Sequence, residues 1–178
     1  MKKNNTKTIS VTRANLLGLL LIPILAIPFC IYNNLWGSLS LYPYINSPYK
    51  IIYFLLITFF LVFLHELIHA VFFACFSKNN WKNVKIGFIW KYLTPYAHCG
   101  DPLKINHYRI ALLAPCILLG IIPLMVALVI GDYFLLIFGS LLTLAAGGDI
   151  IIYILTLKVL KDKLLLDHSS ECGFHILD

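Results

Sequence analysis

The sequence predicts an all-α membrane protein: four transmembrane helices, with a short cytoplasmic strand or hairpin segment between the second and the third. Three observations predict it. The 178-residue chain is 60% hydrophobic and only 12% charged, with a mean hydropathy of +0.86, where a soluble domain carries about 25% charged residues. Apolar runs recur at the ~20-residue length that a bilayer demands of a helix. Lys and Arg fall almost wholly into alternate connections, the charge pattern of a multispanning protein. Residues 1–178 read as a single integral membrane domain.

Residues 1–13 are polar and basic, with Lys2, Lys3, Lys7 and Arg13. The apolar run over 14–35 is too long for a signal peptide, and no small-x-small cleavage site ends it. It reads as the first transmembrane helix, with kinks expected at Pro23 and Pro28. Residues 36–49 form a loop with Gly37, Pro43 and Pro48, flanked by Trp36, Tyr42, Tyr44 and Tyr49, aromatics suited to a membrane interface. The second helix covers 50–76. A polar segment, 77–108, holds Lys78, Lys82, Lys85, Lys91 and Lys104. Within it, residues 83–91 partly alternate, with Val84, Ile86, Phe88 and Trp90 on one side, the pattern of a half-buried strand. Its edge would hold an extended peptide by main-chain bonds; a hairpin lying on the membrane surface reads equally well. The third helix covers 109–130 and contains Pro115 and Pro123. Gly131-Asp132 makes a tight turn, the fourth helix covers 133–160, and a polar tail, 161–178, ends the chain.

Charge orients these spans. Four Lys and Arg precede the first helix, six lie in 77–109 and three in 158–163, against Lys50 alone in the other connections. Thirteen against one places both termini and the 77–108 segment in the cytoplasm. The net charge of +6 is therefore a topology signal, and no nucleic-acid partner is expected. The five cysteines are scattered without a C-x-x-C pair, and three fall in apolar runs, where a thiol is a small hydrophobe.

The chemistry lies in the second helix, at His65-Glu66-Leu67-Ile68-His69. Residues four apart share a helix face, so His65 and His69 can point two imidazoles at one metal ion. Glu66 lies about 100° round the helix, placed to flank that ion and take a proton from water. Two His ligands with a Glu base are the zinc-hydrolase arrangement. With six His and two Glu in the chain, composition alone produces H-E-x-x-H with a chance of roughly 0.2%. Ionisable groups inside a span cost at least ~2.5 kcal/mol each and usually mark function.

Catalytic zinc usually takes a third protein ligand. His65 and His69 lie 11 and 7 residues before Phe76, and Asp149 lies 11 residues before Leu160. At ~1.5 Å per residue these depths match. Asp149 follows Ala145, Ala146, Gly147 and Gly148, small residues that let a second helix approach, and Gly139, Thr143 and Gly147 form a stripe four apart. The plainer account is that this stripe only packs helices and Asp149 bonds a hydroxyl. His98 is the alternative ligand; Asp101 and His107 lie with it in the polar segment.

An H-E-x-x-H in a membrane helix with an Asp in a later helix resembles the site-two protease group of intramembrane zinc proteases. A finer resemblance is to a family of small bacterial membrane proteins described as zincin peptidases, over most of the chain from about residue 51 onward. It rests on His65 to His69, Tyr96-Ala97-His98-Cys99, Ala111-Leu112-Leu113-Ala114-Pro115, Gly147-Gly148-Asp149 and the tail over 167–174. The resemblance implies Zn2+ held by His65, His69 and Asp149, with Glu66 as catalytic base. The site-two group usually shows Asp followed by Gly, whereas Asp149 precedes Ile150. The expected activity is peptide-bond hydrolysis in or beside a bacterial plasma membrane, near its cytoplasmic face, on a membrane-protein or peptide substrate. The competing expectations are a non-catalytic membrane adaptor or regulator and a metal-binding membrane protein with a relic site.

Overall fold

The computed structural model describes residues 3–37, 46–90, 94–168 and 171–177. After strand β1 (Lys3–Ile9), Ser10 caps helix α1 (Val11–Gly18), its side chain accepting the Arg13 N–H. A 3₁₀ turn, Leu19–Leu21, leads into α2 (Ile22–Trp36). The irregularity thus falls just ahead of Pro23, which sits in the first turn of α2 where its missing N–H has no partner to lose; α2 runs on through Pro28. The long helix α3 (Pro48–Phe76) is unbroken over 29 residues. A hairpin follows, β2 (Val84–Ile89) against β3 (Thr94–Cys99), antiparallel, with Ile86 opposite Ala97. Strand β4 (Leu103–Lys104) leads directly into α4 (Ile105–Pro115), four residues before the expected start. A π-helical turn, Cys116–Ile121, joins α4 to α5 (Ile122–Ile130).

Gly131 takes a left-handed φ of 74°, and the Asp132 carboxylate caps α6 (Tyr133–Ala145) by accepting the Leu135 N–H at 2.8 Å. The fourth helix is not the single rod expected over 133–160. It breaks at Ala146, bends by 47° and continues as α7 (Gly147–Thr156). The tail then forms β5 (Leu164–Asp167) and β6 (Cys172–Leu177).

Three helical stretches are long and apolar enough to cross a membrane: Val11–Trp36, Pro48–Phe76 and Ile105–Ile130. The bent pair α6 and α7 makes a fourth if it counts as one span. The all-α expectation needs correcting, because the helices carry two small sheets. Besides the hairpin, a four-stranded antiparallel sheet runs in the order β1-β6-β5-β4. Residues 1–13 and 161–178, read as polar ends, supply three of its strands, and Leu165 and Phe174 are fully buried. A three-leucine run is too short to show a period, and β1 and β6 meet only because the folded chain brings its ends together. The sheet therefore gathers the start of the chain, the connection before α4 and the end of the chain on one face.

The small-residue stripe packs helices. A Cβ on Gly139 would lie 2.8 Å from Leu124 N, and one on Gly147 would lie 2.8 Å from Gly18 Cα. The stripe thus seats α6 on α5 and the turn before it, and α7 on α1. At the end remote from the sheet, Tyr32 donates its hydroxyl to the Gly131 carbonyl at 2.7 Å and Trp36 donates its indole N–H to the Leu128 carbonyl at 3.0 Å. Beside the sheet lies a core of Phe73, Leu103, Ile105, Tyr108, Leu165 and Phe174.

Candidate metal centre

Helical periodicity places His65 and His69 on one buried face of α3, their rings 4.9 Å apart and edge to face. Helix α7 brings Asp149 to them from the opposite side. Its Oδ2 lies 3.1 Å from His65 Nε2 and 3.3 Å from His69 Nε2. The bend after Ala145 accounts for this approach. Asp149 falls in the first turn of α7, where the helix dipole favours a carboxylate. The far end of α7 is fastened by Arg109, which donates to both the hydroxyl and the carbonyl of Thr156 at 2.8 Å. The matching depths were expected of a helix running to Leu160; α7 ends four residues sooner, and Asp149 meets both histidines nonetheless.

His69 has a second partner. Its Nδ1 lies 2.8 Å from the Ala111 carbonyl in α4, and since a carbonyl only accepts, Nδ1 carries the proton. That carbonyl is free for a covalent reason. In a helix it would bond the N–H four residues on, and that residue is Pro115, which has none. Proline and imidazole together satisfy a carbonyl inside an apolar span. The consequence is a fixed tautomer: neutral His69 turns a bare Nε2 lone pair toward Asp149. Two lone-pair atoms 3.3 Å apart need a proton or a metal ion between them. The donor set is two imidazole nitrogens and one carboxylate oxygen, which fits zinc. His65, Glu66 and His69 also bring ligand atoms within 4.8 Å of one another.

Glu66 is half-buried beside this cluster, and strand β3 reaches it through the Ala97 N–H, which points to the Glu66 carboxylate. Both groups line a cavity of about 480 Å³ walled by α1, α3, α7, β3 and β6. The alternative candidates lie elsewhere. The His98 ring lines the cavity but pairs through Nδ1 with Asp167 at 2.9 Å. His107 stacks on Phe76 with ring centroids 4.4 Å apart.

Asp101 belongs to a separate cluster under the end of α3. It accepts from the Ser77 hydroxyl, from Asn83 Nδ2 at 2.5 Å, and from the Asn79 backbone and side chain at 3.0 Å. These bonds, Ser77 first, pull its carboxyl from 3.8 down to about 2. Burial pushes the Cys172 thiol at the cavity wall up to about 11, so in the absence of a metal it is a neutral thiol.

Sequence reasoning missed two groups here. The Ala111 carbonyl had a legible signal, a proline four residues downstream inside a span. Asp167 had none beyond its place in the tail, because its partners come from β3 and α4.

Comparison with curated proteins and with solved structures finds no match. A family model described as "Putative zincin peptidase" matches residues 58–164, well over half of the chain. The match runs from within α3 to the start of β5 and takes in His65, Glu66, His69 and Asp149. On that match, and with this geometry behind it, the chain belongs to the zincin peptidase family.

Proposed function

We propose that the protein is a membrane-embedded zinc peptidase that hydrolyses peptide bonds in or beside the bilayer near its cytoplasmic face. The observation that carries this is the convergence of His65, His69 and Asp149 on one point beside Glu66, between apolar helices. His65 and His69 would hold the metal through Nε2 and Asp149 through Oδ2. Zinc, when bound, supplies Lewis acidity at the scissile carbonyl and acidifies a water molecule. Glu66 takes that water's proton as general base and returns it to the leaving amine. His69 is kept in register by the Ala111 carbonyl, since a partner on the far ring nitrogen orients a ligating imidazole. The edge of β3, beside Glu66, is suited to hold an extended peptide by main-chain bonds.

The sheet supports four crossings. Strands β1, β4 and β5 share it, so the chain must cross an even number of times between β1 and β4, and again between β4 and β5. The thirteen-to-one charge bias supports a cytoplasmic position for that face. Cysteines introduced as Ser40→Cys and Asn79→Cys should label from opposite sides; equal labelling from outside defeats this topology.

The decisive experiment is the zinc content of the purified protein, together with cleavage of fluorescently labelled unfolded casein in detergent. About one zinc per chain and measurable cleavage are expected, both lost in His65→Ala. Zinc that stays in His65→Ala overturns the ligand set. A zinc-loaded protein that does not cleave points instead to the adaptor reading.

A further inference from the structure

Strand β3 borders the cavity with one edge, and that edge has no free donor. In an antiparallel pair the N–H and C=O of a residue point to the same side, and the side alternates along the strand. The Ala97 N–H points to the Glu66 carboxylate, and the Cys99 N–H reaches Asp167 Oδ2 at 3.4 Å. Residues 95, 97 and 99 therefore turn their main-chain groups away from β2, while 94, 96 and 98 turn theirs toward it. The Gly100 N–H, bonded to the Asn83 carbonyl at 2.8 Å, continues that alternation. The remaining residue of the outer edge is Pro95, which has no N–H.

The acceptors of the same edge stay open. An ionised carboxylate only accepts, so Glu66 and Asp167 leave the carbonyls beside them alone. Pro95 and Ala97 line the cavity that holds His65, Glu66 and Asp149. Among the described residues, neither carbonyl accepts a bond from outside the hairpin. The two carbonyls stand two residues apart, which is also the spacing of the N–H groups along one side of an extended chain. Proline on an edge strand keeps it from pairing indiscriminately. Here that proline stands beside the candidate centre, so it bears on which peptide the centre receives.

We infer that this edge recognises a peptide through the peptide's N–H groups alone. The carbonyls of Pro95 and Ala97 each accept a main-chain N–H from an extended segment, the two N–H groups standing two residues apart, and β3 donates nothing in return. The inference rests on the peptidase reading and adds the substrate class: an unfolded segment with a free N–H at both positions, and with proline refused at either. A helical segment holds those N–H groups in its own ladder and cannot offer them. A peptide that lacks one of the donors leaves a carbonyl of the edge unpaired, and that difference is the source of discrimination.

The test starts from the shortest fragment of the labelled casein that the zinc-loaded wild type cleaves. Each backbone N–H of the fragment is replaced in turn by an ester oxygen, and affinity is read by fluorescence anisotropy alongside kcat and KM. Two positions, spaced two residues apart, should each lose about 2–10-fold in affinity, the weight of one neutral hydrogen bond, and the others should stay within about twofold. Proline at either of the two positions should bind at least as poorly. In the protein, Pro95→Ala adds an N–H to the edge and should tighten the fragment by about 2–10-fold, with zinc content unchanged. A flat ester scan on a fragment that is still cleaved overturns the inference and leaves the peptidase reading intact. So does a sensitive pair at adjacent residues, or no gain in a Pro95→Ala protein whose melting temperature and zinc content match wild type. Where Pro95→Ala melts lower, the ester scan on wild type decides by itself. A zinc-loaded wild type that cleaves no fragment sinks the peptidase reading and this inference with it.

Discussion

The two helical segments that build the candidate centre solve the same problem in opposite ways. Helix α3 runs 29 residues without a break and carries His65, Glu66 and His69 on its own register. Spacing alone sets their geometry, because a continuous α-helix fixes the angle between residues one and four apart. The segment over 133–156 breaks at Ala146, and the 47° bend lets Asp149 open a new helix beside the histidines. One segment works because nothing interrupts it, the other because something does. Groups outside the segment pack against both sides of the bend: Gly18 of α1 lies close against Gly147, and Arg109 holds Thr156 at the far end. Local spacing therefore carries the candidate base and two of the candidate ligands, and long-range packing carries the third candidate.

The largest expected effect lies on the unbroken helix. Glu66→Gln should keep zinc and lose about 10²–10⁴-fold in cleavage, because the base does not hold the metal. Undiminished turnover would remove Glu66 from the reaction. On the bent segment, Asp149→Asn keeps size and hydrogen bonding but removes the charge opposite His65 and His69. Zinc affinity and cleavage should fall together while the melting temperature holds. A full metal complement in Asp149→Asn would reduce Asp149 to a packing residue.

Pro115→Ala probes the brace on α3 rather than a ligand. The new N–H at 115 can close onto the Ala111 carbonyl and compete with His69 Nδ1. Zinc affinity should drop about tenfold, the size seen for partners of metal ligands. The melting temperature should hold or rise, since a helix-interior proline has been removed. A parallel loss of affinity and melting temperature would show that Pro115 acts by shaping the helix.

A smaller effect tests what bends the second segment. Gly147→Ala puts a methyl 2.8 Å from Gly18 Cα, whereas Gly18→Ala meets its nearest atom, Gly147 Cα, at 3.5 Å. The first should lower stability by about 1–3 kcal/mol through overpacking, and the second should be nearly neutral. Equal effects in thermal melts would show that α1 does not press on the bend.

The smallest effect lies at the end of α3. Asp101 is held by Ser77, Asn83 and Asn79 at a carboxyl value of about 2, below its ordinary 3.8. A folded value below the unfolded one means stability that is present above pH 3.8 and lost as pH falls toward about 2. Asp101→Asn should flatten melting temperature against acid in that window and lower neutral stability by about 1 kcal/mol. An unchanged acid profile would assign the sensitivity to other carboxylates.

Much of the molecule was legible because lipid-length apolar runs and a 3.6-residue period are local properties of a chain. The runs over 14–35, 50–76 and 109–130 each lie within or close to an observed helical stretch, and His65, Glu66 and His69 needed only their spacing. Strand β2 forms where Val84, Ile86 and Phe88 alternate, but it is not the half-buried strand expected, since Ile86 and Trp90 are both exposed. What the sequence did not disclose are contacts between residues far apart in it. Strand β1 pairs with β6 across nearly the whole chain, with Ile9 opposite Cys172, and no local pattern in either segment names the other. Asp167 finds His98 and Tyr108 only after three elements have packed. Beside the bend that delivers Asp149, a glycine of α1 meets a glycine of α7, a contact between residues far apart in the chain. Sequence alone determined which residues could do chemistry, since that comes from their side chains and helical spacing. Tertiary structure decided which of them meet, because the energy of a close approach belongs to both surfaces at once.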